Sequence, residues 1–201
     1  MKKIAVLAFA AALLGAAPFA RADVAPGQPA PDFTLTDTNG KPHKLADLKG
    51  KYVVLEWTNP DCPFVKKHYQ SKNMQSLQKA YTGKGVVWLV INSGAPGKEG
   101  VYSAAKVNEM AQANGVAASA ELVDSDGHVG RAYGAKNTPQ MFVINPQGNI
   151  TYMGAIDSIP SANQADIPKA TAYLRDALDA TMAGKPVTTP VTKPYGCSVK
   201  Y

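Results

Sequence analysis

The stretch Lys51-Tyr-Val-Val-Leu-Glu-Trp-Thr-Asn-Pro-Asp-Cys-Pro-Phe-Val-Lys-Lys67 passes from strand to helix within a few residues. Val53 to Trp57 is β-branched, apolar or aromatic around one acid, Glu56, and that composition suits a core strand. Asn59, Pro60 and Asp61 break the strand. Pro63 falls at the first helical position, where the missing N–H has no partner to lose. Cys62 thereby stands at the positive end of a helix, where unpaired N–H groups and the helix dipole favour thiolate over thiol. A lone cysteine there could also be half of a structural disulfide, but the strand–turn–Cys-Pro–helix setting favours chemistry.

The front of the chain reads differently from the rest. Lys2 and Lys3 form a basic start, Ile4 to Phe19 is apolar and alanine-rich, and Ala20-Arg21-Ala22 fits a small-x-small cleavage site. This is the pattern of a secretory signal peptide over residues 1–22, too short and weakly flanked for a stable membrane span. Its removal takes out three basic residues and no acid, so the formal charge falls from +6 to +3. No stretch interleaves Lys and Arg with aromatics, so no nucleic-acid partner is expected, nor a membrane partner after cleavage. The mature chain is long enough for one domain with a real core, read as residues 23–184 followed by a tail over 185–201. Export into a bacterial periplasm is the expected location, where thiols are oxidised unless a dedicated reductant reaches them.

Along the chain, Asp32 to Asp37 alternates, Asn39-Gly40 turns, and Pro42 to Leu45 returns, which is a hairpin signal. Ala46 to Gly50 reads as a one-turn helical linker. A single helix is expected from Cys62 to Tyr81, then a strand buried on both faces over Val86 to Ile91. Gly97-Lys98 lies in a glycine-rich loop, but Glu99 and Asn92 stand where a phosphate loop needs Ser or Thr and Gly. A helix over Tyr102 to Asn114, a strand over Ala120 to Val123 and a short helix over Val129 to Tyr133 come next. Thr138-Pro139 then precedes a strand over Gln140 to Ile144, which a turn joins to Ile150 to Gly154. A last helix is expected over Ala165 to Ala183. Pro186 to Lys200 shows no periodicity and carries Cys197, the second of the two cysteines.

Strand–Cys-Pro–helix, a later Thr-Pro opening a strand, and a hairpin-then-helix ending together resemble the thioredoxin superfamily. The closer resemblance is to its peroxiredoxin-like branch, the alkyl hydroperoxide reductase and thiol-specific antioxidant (AhpC/TSA) relatives. Asn59-Pro-Asp-Cys-Pro-Phe-Val-Lys66 carries it, with Arg131-Ala-Tyr-Gly-Ala135, Thr138-Pro139, Gly154-Ala-Ile-Asp157, Ala183-Gly-Lys185 and the ending Gly196-Cys-Ser-Val-Lys-Tyr201. The resemblance implies an α/β thioredoxin-like three-layer sandwich: a central mixed sheet with an N-terminal β-hairpin and helices on both faces. It implies a cis bond before Pro139, beside the reactive sulfur. No bound cofactor or metal is implied. The partners implied are an external dithiol reductant (a thioredoxin-like protein) and a peroxide or protein disulfide. Three features depart from the pattern. Val65 replaces the second cysteine of a Cys-x-x-Cys pair. Asn59 stands where typical peroxiredoxins have Thr or Ser. Arg131 is a candidate for the arginine near the sulfur, though a basic residue on a short helix is more often solvated.

Cys62 is the candidate nucleophile, and attack on peroxide or disulfide alike needs a second thiol to finish. Cys197 is the other one in the chain. The twelve residues from Lys185 to Cys197 span up to about 40 Å when extended, which reaches most of a domain this size. Resolution within the chain, resolution across to a neighbouring subunit, and a permanent Cys62–Cys197 staple worth ~4–5 kcal/mol all fit. The staple would belong to a non-catalytic binding module whose exposed Thr138-Pro139 face holds a partner. Glu56, six residues before Cys62, matches thioredoxin's buried proton-relaying acid, or else points to solvent from the strand end. Trp57, Asn59, Pro60, Pro63 and Phe64 are expected to shape the pocket, with Trp57 equally suited to the core. His68 is nearly two turns past Cys62, too far around the helix to favour a shared metal.

Overall fold

The computed structural model describes residues 24–201, so the leader reading over residues 1–22 lies outside the described residues. The hairpin forms as β1 (Thr34–Asp37) and β2 (Pro42–Lys44), with Thr36 opposite Pro42. A 3₁₀ turn (Leu45–Leu48) leads into β3 (Val53–Trp57), all five residues of which are buried. Next come α1 (Pro63–Gln70), α2 (Asn73–Thr82), β4 (Val87–Asn92), α3 (Ala104–Asn114), β5 (Ala120–Val123) and α4 (His128–Ala132). The chain closes with β6 (Asn137–Thr138), β7 (Gln140–Ile144), β8 (Ile150–Gly154), α5 (Tyr173–Met182) and β9 (Cys197–Ser198).

Seven strands make one mixed sheet in the order β2-β1-β5-β4-β3-β7-β8. Within it β3 runs parallel to β4 and antiparallel to β7, with Glu56 opposite Val90 on one side and Met141 on the other. Side chains alternate across a strand, and β3 divides accordingly. Val53, Leu55 and Trp57 join Leu89, Phe142 and Tyr133 in the core on one face. Val54 joins Trp88 and Met141 on the other, against Met74 and Leu77 of α2 and Leu174 and Leu178 of α5.

Two expected helices are broken. The one from Cys62 to Tyr81 divides because Lys72 adopts a left-handed backbone, φ +62°. The break is held by side chains: Gln75 Nε2 donates to the Tyr69 carbonyl at 2.9 Å, and Asn73 Nδ2 lies 2.9 Å from His68 Nδ1. The helix from Ala165 to Ala183 divides into a 3₁₀ segment (Gln164–Lys169) and α5, because the backbone past Pro168 turns extended at Ala170. An interior proline removes a helical hydrogen bond and clashes with the preceding turn.

The tail is ordered by pairing. Thr192 N donates to the Met153 carbonyl at 3.0 Å, and its Oγ1 accepts from Ala155 N at 2.8 Å, which ties it to the end of β8. The chain then crosses to lay β9 antiparallel on β6, forming a separate two-stranded sheet.

Candidate redox site

Cys62 caps α1 with an extended backbone, φ −64° and ψ 123°. The turn before it is a hydrogen-bonded unit centred on Asn59. Asn59 Oδ1 accepts from Asp61 N at 2.8 Å, its carbonyl accepts from Cys62 N at 3.0 Å, and its Nδ2 donates to the Glu99 carbonyl at 3.0 Å. Asn59 therefore builds the turn and ties it to the loop after β4. That loop must carry glycine at position 100: its φ is +78°, and a Cβ would lie 1.9 Å from Asn59 Oδ1.

The Thr138–Pro139 peptide is cis, and the Cys62 thiol donates to the Thr138 carbonyl at 3.1 Å. Pairing of β9 with β6 puts Cys197 directly opposite Thr138. The two cysteines, 135 positions apart in the chain, thus meet across one backbone segment, both as free thiols. Gly196 makes the approach possible: at φ +132°, a Cβ there would lie 2.1 Å from the Thr138 carbonyl oxygen.

The two sulfurs are electrostatically unequal. Burial pushes the Cys62 thiol up, but the Cys197 thiol, the Cys197 N–H and the Val65 N–H turn toward its sulfur and bring it below the usual value. Cys197 is pushed up to about 11 by burial, by its hydrogen bond to Cys62 and by the negative charge there. Cys62 is therefore the more acidic of the two thiols, with Cys197 as a donor beside it. The Cys62 side is 1% exposed and Cys197 is half-buried.

A buried ionic clamp holds the tail against α1. Lys67 Nζ donates to Asp157 Oδ2 at 2.9 Å, to the Ile159 carbonyl at 3.0 Å and to Tyr195 Oη at 3.1 Å. Tyr195 in turn donates to Asp157 Oδ1, and its ring meets that of Phe64 edge-on, centroids 5.8 Å apart. The Lys67 and Asp157 side chains are 0% and 5% exposed. A buried ion pair is tolerable only when its remaining hydrogen-bonding capacity is filled, and Tyr195 supplies part of that. Farther along the tail, Lys200 pairs with Glu99 at 3.4 Å and Tyr201 donates to the Ala135 carbonyl at 2.7 Å.

Glu56 is completely buried, which overturns its reading as a strand-end acid facing solvent. Burial raises its pKa against the opposing hydrogen bonds from Tyr69, Trp88 and Gln78, which approach at 2.7, 2.8 and 3.2 Å. These three donors, rather than Cys62, are its hydrogen-bond partners among the described residues. Trp57 is also completely buried, its Nε1 donating to Ser93 Oγ at 2.9 Å, and it serves the core rather than a pocket wall. Thr138 is 1% exposed beneath β9, so the face expected to be open for a partner is covered by the chain itself. Pro63 is exposed at the start of α1, and Pro60 lines a neighbouring cavity. Arg131 donates to the Asp126 carbonyl and stacks on the Tyr201 ring, 4.5 Å from its centroid. Its guanidinium thereby holds the chain terminus. His68 is fully buried beside Asp157, and burial brings its pKa down to about 4. Among the described residues no group of three or more His, Cys, Asp or Glu could hold a metal ion. Also among the described residues, no helix is long and apolar enough to cross a membrane.

Sequence reasoning missed Lys67, Asp157 and Tyr195. Asp157 lies in Gly154 to Asp157, one of the stretches on which the sequence resemblance rests, and that was the available signal. Nothing in a Pro/Thr/Lys tail marks Tyr195.

A mixed sheet with β3 inside it, between β4 and β7, a cysteine capping the helix after it, and a cis-proline loop beside the sulfur define a thioredoxin-fold redoxin. The residues between 26 and 153 match the AhpC/TSA family model, and the chain belongs to that family. It is similar to the thiol-disulfide oxidoreductase ResA of Bacillus subtilis (strain 168), with 34% identity over 127 residues, 63% of this chain and 65% of ResA. The matched stretch thus spans just under two thirds of that relative. Among solved structures it is similar to an uncharacterized conserved protein from Geobacillus kaustophilus, with TM-score 0.75, 30% identity, and coverage of 89% of this chain and 93% of that one. A hypothetical protein from Sinorhizobium meliloti 1021 has TM-score 0.74 and 26% identity, over 89% and 96% of the two chains.

Proposed function

We propose that this protein is a thiol–disulfide oxidoreductase in which Cys62 attacks and Cys197 of the same chain resolves. The observation that carries this reading is the register of β9 on β6, which sets Cys197 opposite Thr138 and beside Cys62, whose pKa its hydrogen bonds lower. The Cys62 thiolate attacks one sulfur of a substrate disulfide, forming a mixed disulfide and releasing the other sulfur as thiolate. Cys197 then attacks the Cys62 sulfur, its proton passing to the departing thiolate. With the first-released thiolate taking a proton from solvent, substrate leaves as two thiols and the protein as a Cys62–Cys197 disulfide, which an external dithiol reduces. The similarity to ResA, a thiol-disulfide oxidoreductase by name, supports the same reaction class. The signal-peptide pattern supports a periplasmic setting.

Family membership favours a second reading, peroxide reduction through a sulfenic acid on Cys62 with the same resolving step. The surroundings of the sulfur favour the first. The groups that lower the Cys62 pKa are Cys197, Thr138 and backbone N–H groups rather than an arginine. The non-catalytic alternative needs the two sulfurs permanently joined. Once Cys62 is bound in a mixed disulfide, the Cys62 charge that helps hold the Cys197 pKa up is gone, which favours attack by Cys197. The test is steady-state turnover with a dithiol donor, comparing a peptide disulfide with hydrogen peroxide. Faster consumption of the disulfide, abolished by Cys62→Ser, is expected. Turnover with neither substrate would overturn both enzymatic readings, and faster turnover with peroxide would favour the second.

A further inference from the structure

Beside the redox turn, α3 stands off the sheet. None of its residues is fully buried, although Val107, Met110 and Ala111 face inward along one apolar stripe. Polar tethers hold it in place: Thr38 Oγ1 donates to Asn108 Oδ1 at 2.6 Å, and Lys72 Nζ and Gln75 Nε2 reach the Asn114 carbonyl at 2.9 and 3.0 Å. Beneath it lies a cavity of about 240 Å³, walled by that stripe, by Val65 and Tyr69 of α1, and by Val90 and Glu121 of the sheet. Close packing is the norm in protein interiors, and a void this size forfeits contacts on all its walls. A helix held by polar bridges over unfilled apolar space is the arrangement of a ligand pocket.

Glu121 is the one acid in the lining. It lies in a row across the sheet with Val90 and Glu56, and its carboxyl has no hydrogen-bond partner among the described residues. The titratable groups around it are Glu56 on β3, Tyr69 and Lys66 on α1, and Tyr102 on the loop before α3, whose hydroxyl donates to Asp61; α3 contributes no ionisable side chain to the wall. Burial and the Glu56 charge push the Glu121 pKa up to about 8, so at neutral pH it offers an O–H.

We propose that this cavity binds a small uncharged apolar molecule carrying one carbonyl-type acceptor, a ketone or quinone, with Glu121 donating to that oxygen. A cavity of about 150 Å³ takes benzene, so this one takes a bicyclic ring system. An amine ligand fits less well, because it would have to ionise Glu121 in apolar surroundings with Lys66 of like charge at the rim.

The experiment measures binding of acetylnaphthalene, its acceptor-free analogue isopropylnaphthalene, and naphthylethylamine to the reduced full chain by calorimetry. The ketone is expected to bind about tenfold more tightly than the hydrocarbon, the worth of one hydrogen bond. Its affinity should fall about fivefold from pH 6 to pH 9, toward that of the hydrocarbon, as the protonated fraction falls. That pH dependence should vanish in Glu121→Gln, and binding itself in Ala111→Trp. Equal binding of ketone and hydrocarbon, tighter binding of the amine, an unchanged pH profile in Glu121→Gln, or no binding of any probe would each overturn the proposal. Glu121→Gln keeps the shape of the site, so the pH profile decides even if the filling variant does not fold.

Discussion

Replacing Tyr195 with Phe removes one oxygen and leaves the ring packed on Phe64. That oxygen donates to Asp157 and accepts from Lys67, two charged groups almost wholly shielded from water. Hydrogen bonds to charged partners contribute about 1.5–3 kcal/mol. Here the loss belongs at the low end, because Lys67 keeps Asp157 and the Ile159 carbonyl, and Asp157 keeps the Ile159 N–H at 3.1 Å. About 1.5 kcal/mol corresponds to about tenfold in an equilibrium or rate. Cys197 lies two residues beyond Tyr195, so the loss falls on the docking of the resolving thiol. β9 and Tyr201 retain their own ties, which makes tenfold an upper limit. Closure of the Cys62–Cys197 bridge after one equivalent of a small disulfide, followed by acid quench and alkylation, should slow by about three- to tenfold. Alkylation of Cys62 itself should change much less. Closure at the wild-type rate in Tyr195→Phe would refute the clamp as a positioning device.

Gly196→Ala should slow closure further and lower the unfolding free energy by about 1–3 kcal/mol, because its Cβ meets the Thr138 carbonyl; an unchanged chemical melt would contradict this. Cys197→Ala should move the midpoint of Cys62 alkylation to higher pH, since Cys197 supplies the leading opposition to burial there; an unmoved midpoint would show that the helix end alone sets it. Stability should be greatest between about pH 4.5 and 6.5. His68, depressed to about 4 from 6.5, takes up a proton in the unfolded chain first, so stability is lost as pH falls below 6.5, by roughly 3 kcal/mol in full. Glu121, raised to about 8 from 4.5, loses its proton in the unfolded chain first, so stability is lost as pH rises through that range, by up to roughly 4–5 kcal/mol. Urea melts of Glu121→Gln should lose most of the wild type's fall between pH 6.5 and 8, and a slope equal to that of the wild type would refute the assignment.

The strands were legible because buried β-branched runs and turn residues act locally: Val53 to Trp57, Gln140 to Ile144 and the Asn39-Gly40 hairpin all lie where their composition places them. The helix breaks were not, because Lys72 turns left-handed for the sake of side-chain bonds from Asn73 and Gln75 that no periodicity announces. Pro168 did carry a breaking signal, which the apolar spacing around it masked. At the site, Cys62 and Pro139 were legible from local chemistry and family likeness. The placement of Cys197 was not, since a two-residue strand paired with Thr138 depends on a glycine contact and on Tyr195 meeting a buried ion pair. Residues that act through long-range partners leave no local pattern. The same limit explains Trp57, whose indole finds Ser93 across the sheet and is lost to the site.

The division of labour between the two cysteines is tested most directly by mass spectrometry of peptides from Cys197→Ser protein, taken after one equivalent of a small disulfide. The expected product is a persistent mixed disulfide on Cys62, while the wild type passes to a Cys62–Cys197 link within a single chain. A wild type that keeps the adduct without closing the link, or a Cys62 that forms no adduct, would contradict it.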